Sequence, residues 1–144
     1  MISDQIADFL KQAGVRFEFI RHPRAYSAQM TAEAAHIPGR MMAKTVVVRI
    51  GDSWAMLVLP ADEKVDMGIV RDIFGTDRCY LAGEDDLLDL FGDCELGGMP
   101  PFGNLYGVPV YVDVTLTTDP QIVFNAGSHR ETMTVAFSDY LRLT

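Results

Sequence analysis

Three lysines stand in the 144 residues, and Lys44 is the least like a solvated surface residue. It follows Met41-Met42-Ala43 and precedes the apolar run Val46-Val47-Val48. An ammonium held among such neighbours is a compact, poorly hydrated charge that can hold a phosphate or a developing oxyanion. A lysine that snorkels out from a strand end is the plainer reading of the same pattern. Gly97-Gly98-Met99-Pro100-Pro101-Phe102-Gly103 puts three glycines and two prolines into seven residues. Gly97 and Gly98 permit close approach and positive φ, and Pro100 and Pro101 stiffen the chain. Such a loop can leave backbone N–H groups bare for an oxyanion or a carbonyl ligand; the alternative is a surface turn. Asn125-Ala126-Gly127-Ser128-His129-Arg130 gathers small, polar and basic groups between two strand-like runs. It offers His129 as a proton carrier or hydrogen-bond donor, or it is a decorated hairpin turn. His22 and His36 have weaker cases, His22 because it precedes Pro23 and reads as the end of a strand.

Other chemistries lack their residues. There is no GxSxG elbow, P-loop, HExxH or Cys-x-x-Cys pattern. Cys79, Cys94 and the three histidines show no ligand spacing, so neither a metal nor a cofactor is expected.

The elements that must position these residues follow from periodicity. Residues 2–13 read as a helix with Ile2, Ile6, Phe9, Leu10 and Ala13 on one face and Gly14 as its stop. Arg16 to Ile20 alternates as a strand, with Phe17 and Phe19 inward. Ser27 caps a short Ala-rich helix through His36. Thr45–Ile50, the Gly51-Asp52 turn and Trp54–Leu59 form the clearest hairpin. Helices are expected at 66–74 and 84–91, stopped by Gly75 and Gly92, with a short strand at 78–81 between them. Strands are expected over Val108–Leu116, Gln121–Ala126 and Thr132–Phe137, and Ser138 caps a last helical turn. Strands and helices mix without a βαβ rhythm and hairpins dominate. The fold class is therefore mixed α/β, with a mostly antiparallel or mixed sheet surrounded by helices.

Length fits a single domain spanning residues 1–144, and with 49% hydrophobic residues it can bury its own core. No run of 18 apolar residues exists, and the polar, acidic start Ser3-Asp4-Gln5 lacks the design of a secretion signal. Two cysteines read as reduced thiols, which places the protein in the cytoplasm. The net charge of −8 argues against a nucleic-acid partner until it is divided. Residues 1–50 carry +3 and residues 51–144 carry −11, so a polyanion could approach the N-terminal third. A chance bias of surface charge explains the numbers equally well.

Taken together and in order, Ala43-Lys44-Thr45-Val46-Val47-Val48, Gly97 to Gly103, and Phe124-Asn125-Ala126-Gly127-Ser128-His129-Arg130-Glu131-Thr132 resemble the YbaK family, the prolyl-tRNA synthetase-associated editing domain. The opening helix and Phe17 to Pro23 also look like this family, so the resemblance covers almost the whole chain. It implies a twisted, barrel-like sheet and hydrolysis of mischarged proline tRNA, with alanine favoured and cysteine next. No synthetase catalytic or anticodon domain accompanies the motifs, so a freestanding, trans-acting member is implied. The 3′ end of an aminoacyl-tRNA would be the partner, and prolyl-tRNA synthetase a candidate second one. On this reading Gly97 and Gly98 hold the ester carbonyl, Lys44 anchors a phosphate or the ester oxygen, and His129 orients water or the ribose. His22, the loop residues Met99, Pro100, Pro101, Phe102 and Gly103, and the turn residues Asn125, Ala126, Gly127 and Ser128 would line the substrate. The alternatives are a non-catalytic module that binds tRNA ends or a protein, and a hydrolase of small acyl esters.

Overall fold

The computed structural model describes residues 2–22 and 40–144. The helix expected from Ser27 to His36, and Pro23 of the family-like stretch, lie outside them. The first helix, α1 (Ile2–Gln12), buries Ile2, Ile6 and Leu10, four residues apart on one stripe. Gly14 ends it at φ 72°, a left-handed conformation that glycine adopts without steric cost. The chain then enters β1 (Phe17–Arg21).

The expected hairpin is present as β2 (Ala43–Ile50) and β3 (Ser53–Pro60), antiparallel in the register Lys44 opposite Leu59 and Val47 opposite Met56. Next comes α2 (Met67–Phe74), opened by the Asp66 carboxylate, which accepts from the N–H groups of Gly68 and Ile69 at 2.9 and 3.2 Å. Gly75 closes it at φ 66°. β4 (Cys79–Leu81) and α3 (Glu84–Leu90) follow. Beyond the glycine- and proline-rich loop come β5 (Val110–Val112), β6 (Gln121–Asn125), β7 (Glu131–Ala136) and α4 (Phe137–Leu143).

The strands form two sheets. One has the order β1-β7-β6 and is antiparallel throughout; the other has the order β4-β2-β3-β5, with β3 and β5 parallel. The main core lies between α1, the inner faces of β6 and β7, and the loop. Phe102 sits at its centre, edge-on to Phe9, Phe124 and Tyr140 at centroid distances of 5.7, 5.3 and 5.4 Å.

Four expectations are corrected. The mixed fold class holds, but the sheet does not close into a barrel: the two sheets touch at one isolated parallel bridge, Met42 opposite Val123. Closure needs every strand paired on both sides, and β1, β4 and β5 each have one strand partner among the described residues. Phe19 is not inward; it is 42% exposed on β1, an edge strand of its sheet among the described residues. The strand expected over Val108–Leu116 shrinks to three residues, because the Asp113 side chain takes the Thr115 N–H at 2.9 Å and turns the chain into a 3₁₀ segment, Val114–Thr118. Ser138 lies inside the first turn of α4, and Ala136 holds the cap position.

Candidate functional site

Alternation along β2 sends its side chains to two destinations. Ala43 and Val47 enter the main core, and Thr45 lies between them on that face; Val46 and Val48 pack with α2 on the other. Thr45 donates its hydroxyl to the Met99 carbonyl at 3.2 Å, tying β2 to the loop. Lys44 points the opposite way, half-buried, and its Nζ donates to the Glu63 carbonyl beyond β3.

The bridge of Met42 to Val123 sets Lys44 in context. The pairing is parallel, so Lys44, two residues further along β2, lies toward the Asn125 end of β6. Asn125 in turn stands opposite Thr132 of β7, and Thr132 opposite Ile20 of β1. Residues at paired positions share a face. Asn125, Thr132 and Ile20 thus form one row across three strands, on the face away from Phe124, Met133 and the main core, and the bridge brings Lys44 toward its Asn125 end. Met42, Val123 and Ala61 pack together beside that row. Asn125 is 4% exposed and Thr132 0%, yet among the described residues Asn125 Oδ1 and Thr132 Oγ1 have no hydrogen-bond partner.

The loop and the turn are brought together, but mostly to hold each other. Glu95 donates its N–H to the Gly127 carbonyl, and Gly127 donates its N–H to the Gly98 carbonyl, both at 2.9 Å. The Gly98 N–H donates to the Glu95 carbonyl at 2.9 Å. This corrects the expectation of bare donors at both glycines: the Gly98 donor is consumed within the loop. A Cβ at Gly98 would lie 3.0 Å from the backbone C and N of Ser128, so glycine is needed there for chain-to-chain packing. Gly97, at φ 80°, is exposed at the tip.

His129 is 5% exposed. Its Nε2 lies 2.5 Å from the Leu96 carbonyl and 3.8 Å from Glu95 Oε2, and its backbone N–H donates to Glu95 Oε2 at 3.3 Å. A ring nitrogen that close to a carbonyl must carry the proton, so the geometry makes His129 a clamp on the loop. The backbone N–H of buried His22 donates to the Arg130 carbonyl at 2.8 Å, tying the end of β1 to the turn.

Several residues expected to line a substrate are core instead. Phe102 and Ala126 are fully buried in the main cluster, which also takes in Met99. Pro101 accepts the Tyr140 hydroxyl at 2.7 Å, and burial pushes that phenol above its usual pKa. Pro100 and Gly103 are buried too, and Gly127, at φ 97°, has the Ile2 side chain against it. Their apolar character is the reason: a Met-Pro-Pro-Phe segment gains more by burial than by lining a wet pocket.

At the root of the loop, Cys94 Sγ lies 3.3 Å from the Tyr106 hydroxyl, which donates to Asp93 at 3.1 Å. Burial pushes the Cys94 thiol up to about 12, with a smaller contribution from Asp93 and an opposing one from the Tyr106 hydrogen bond. The Tyr106 phenol is likewise raised, first by burial and then by Cys94. This thiol stays protonated at neutral pH and is no nucleophile. Among the described residues no three His, Cys, Asp or Glu side chains converge to hold a metal ion. A separate, largely apolar cleft of about 270 Å³ lies between α2, β3 and β5, lined by Leu57, Leu59, Ile69, Phe74 and Tyr111.

The sequence reading missed Thr45, Glu95 and Thr132. Thr45 follows the lysine and could have been noticed. Glu95 acts through Gly127 and His129, more than 30 residues on, and Thr132 is set opposite Asn125 by strand pairing; no local spacing reveals either.

A family model described as the aminoacyl-tRNA editing domain matches residues 22–143. Among solved structures, a protein provisionally assigned as a trans-editing enzyme for prolyl-tRNA synthetase is 20% identical with a TM-score of 0.84, covering 99% of this chain and 91% of that one. A scaffold from computational epitope-backbone grafting is 20% identical with a TM-score of 0.85 over the same shares. A protein from Marinobacter aquaeolei VT8, provisionally assigned to signal transduction, is 14% identical with a TM-score of 0.72, covering 96% of this chain but 28% of that one. Among curated proteins none matches the chain. Among the described residues no helix is long and apolar enough to cross a membrane.

Proposed function

We propose, from the premise that this chain belongs to the aminoacyl-tRNA editing domain family, that it acts as an aminoacyl-tRNA deacylase. It hydrolyses mischarged proline tRNA in trans, alanine first and cysteine next. The observation that carries this is the extent of the family match, which takes in Lys44, the Gly97–Gly103 loop and the Asn125–His129 turn.

The residues support a metal-independent ester hydrolysis. An aminoacyl ester is activated, so a positioned water and a site for the negative oxygen suffice. Lys44 supplies the cation, and the row it lies toward supplies polar groups at a buried face. Among the described residues its ammonium donates to the Glu63 backbone carbonyl, a contact that a phosphate or an ester oxygen can displace. The exposed tip at Gly97 offers a backbone donor to the carbonyl oxygen, and losing such a donor typically costs about 10²–10³ in rate. Gly98, Glu95 and His129 hold that tip against the turn. The ribose hydroxyl beside the ester can activate the water. Discrimination by size is worth only about 1–3 kcal/mol per methylene, so leakage among small amino acids is expected.

The charge of −8 favours a second reading, hydrolysis of a small acyl ester without RNA. Release of alanine from charged proline tRNA, measured at two salt concentrations, separates the two. An enzyme that reads the phosphate backbone slows steeply as salt rises under subsaturating conditions. Equal, salt-insensitive release from a small alanyl ester supports the second reading, and tRNA binding without release makes the protein a binding module.

A further inference from the structure

The row across β6 and β7, with Lys44 toward its β2 end, contains two buried oxygens that have no hydrogen-bond partner among the described residues. They are Asn125 Oδ1 and Thr132 Oγ1, on residues that stand side by side. A buried polar atom without a partner is costly, and folded proteins retain few of them. The Asn125 oxygen accepts, and the Thr132 hydroxyl can accept as well as donate, whereas Lys44 is a donor only. The row and Lys44 together therefore offer a cation at one end and a pair of acceptors at the other, about 10 Å apart over two strand spacings. A ligand that fits is a donor-rich cation joined to an anionic or carbonyl-bearing end.

We propose that Asn125 and Thr132 seat the free α-ammonium group of the aminoacyl ester, while its carbonyl and phosphate lie toward Lys44. The inference rests on the deacylase reading and adds to it a rule of substrate choice. Three ammonium protons require acceptors, and among the described residues these two oxygens are otherwise unused. Lys44 repels a second ammonium placed beside it, so the substrate's charge is driven to the far end of the row. An ester whose nitrogen is acylated loses both the charge and two of the three protons. An α-hydroxyacyl ester keeps the ester and the size but not the charge. The protein thus acts on free aminoacyl esters and spares N-blocked ones, peptidyl-tRNA included.

The test compares alanyl-tRNA with the lactyl-tRNA made from it by nitrous acid deamination, using the full chain and the variants Thr132→Val and Thr132→Ser. Valine has the shape of threonine without its oxygen. Wild type hydrolyses the alanyl ester at least tenfold faster in kcat/KM than the lactyl ester. Thr132→Val loses about tenfold on the alanyl ester, the size expected for one hydrogen bond to a charged group, and keeps its rate on the lactyl ester. Thr132→Ser restores the alanyl rate. The unchanged lactyl rate also shows that Thr132→Val is folded. A wild type that treats the two esters alike, or a Thr132→Val that slows both equally, overturns the inference alone. A wild type that hydrolyses neither overturns the deacylase reading along with it.

Discussion

Gly98→Ala tests whether the loop is held by the turn. The added Cβ would lie 3.0, 3.0 and 3.1 Å from the backbone C, N and Cα of Ser128. Those are main-chain atoms, and they cannot rotate aside as a side chain would. They are also fixed on either side, by the Gly127 N–H on the Gly98 carbonyl at 2.9 Å and by the His129 N–H on Glu95 Oε2 at 3.3 Å. Overpacking of this kind costs about 1–3 kcal/mol, and loosening one of the clamping hydrogen bonds adds about 1 kcal/mol. For a domain of this length each kcal/mol is worth roughly 3 °C, so Tm should fall by about 6–12 °C. Deacylation at 25 °C should fall as well, because the Gly97 tip moves with the loop. Gly14→Ala is the control: its Cβ meets nothing within 4 Å and only the φ of +72° opposes it. It should cost about 1 kcal/mol and leave the rate of the folded protein intact. Thermal melts followed by circular dichroism, with single-turnover deacylation beside them, provide the readouts. A Gly98→Ala protein with wild-type Tm and wild-type rate refutes the clamp.

Lys44→Ala should lower deacylation by about 10²–10³, the loss typical of one charge-stabilising group, while the melt moves by no more than about 1 kcal/mol because a single hydrogen bond to Glu63 is removed; a variant that keeps full turnover or unfolds contradicts the role. Treatment with EDTA should leave activity unchanged, and a loss that zinc reverses would overturn the mechanism. Cys94, raised to about 12 by burial, should resist iodoacetamide at pH 8 in the folded protein. Because its folded pKa lies above the unfolded value of 9.0, the stability linked to it is complete below pH 9 and drains away as pH rises toward 12. Cys94→Ser should flatten that alkaline decline in Tm.

What could be read in advance was local. The β2–β3 hairpin was legible because Thr45–Ile50 and Trp54–Leu59 are apolar and β-branched around Gly51-Asp52, and the strands run only a residue or two further. α1 and α2 were legible from their apolar spacing and their glycine stops. The rest depends on distance in the chain. Whether the Gly98 N–H is bare turns on a carbonyl three residues back, fixed in place by Gly127 and His129 from the far turn. That Met-Pro-Pro-Phe is core and not lining depends on Phe9, Phe124 and Tyr140 converging from three elements. That Lys44 lies toward Asn125 and Thr132 rests on one bridge between two sheets, Met42 to Val123, which no local pattern encodes. Barrel closure failed as an expectation for the same reason, since it is decided by which edges pair.

The central claim is selective ester hydrolysis on tRNA, and a deacylation panel tests it most directly. Proline tRNA charged in turn with alanine, cysteine, serine and proline is incubated with the purified protein, and release of each amino acid is followed. The account predicts rapid loss of alanine, slower loss of cysteine and serine, and proline left in place. Release of proline as fast as alanine, or no release from any of the four, contradicts it.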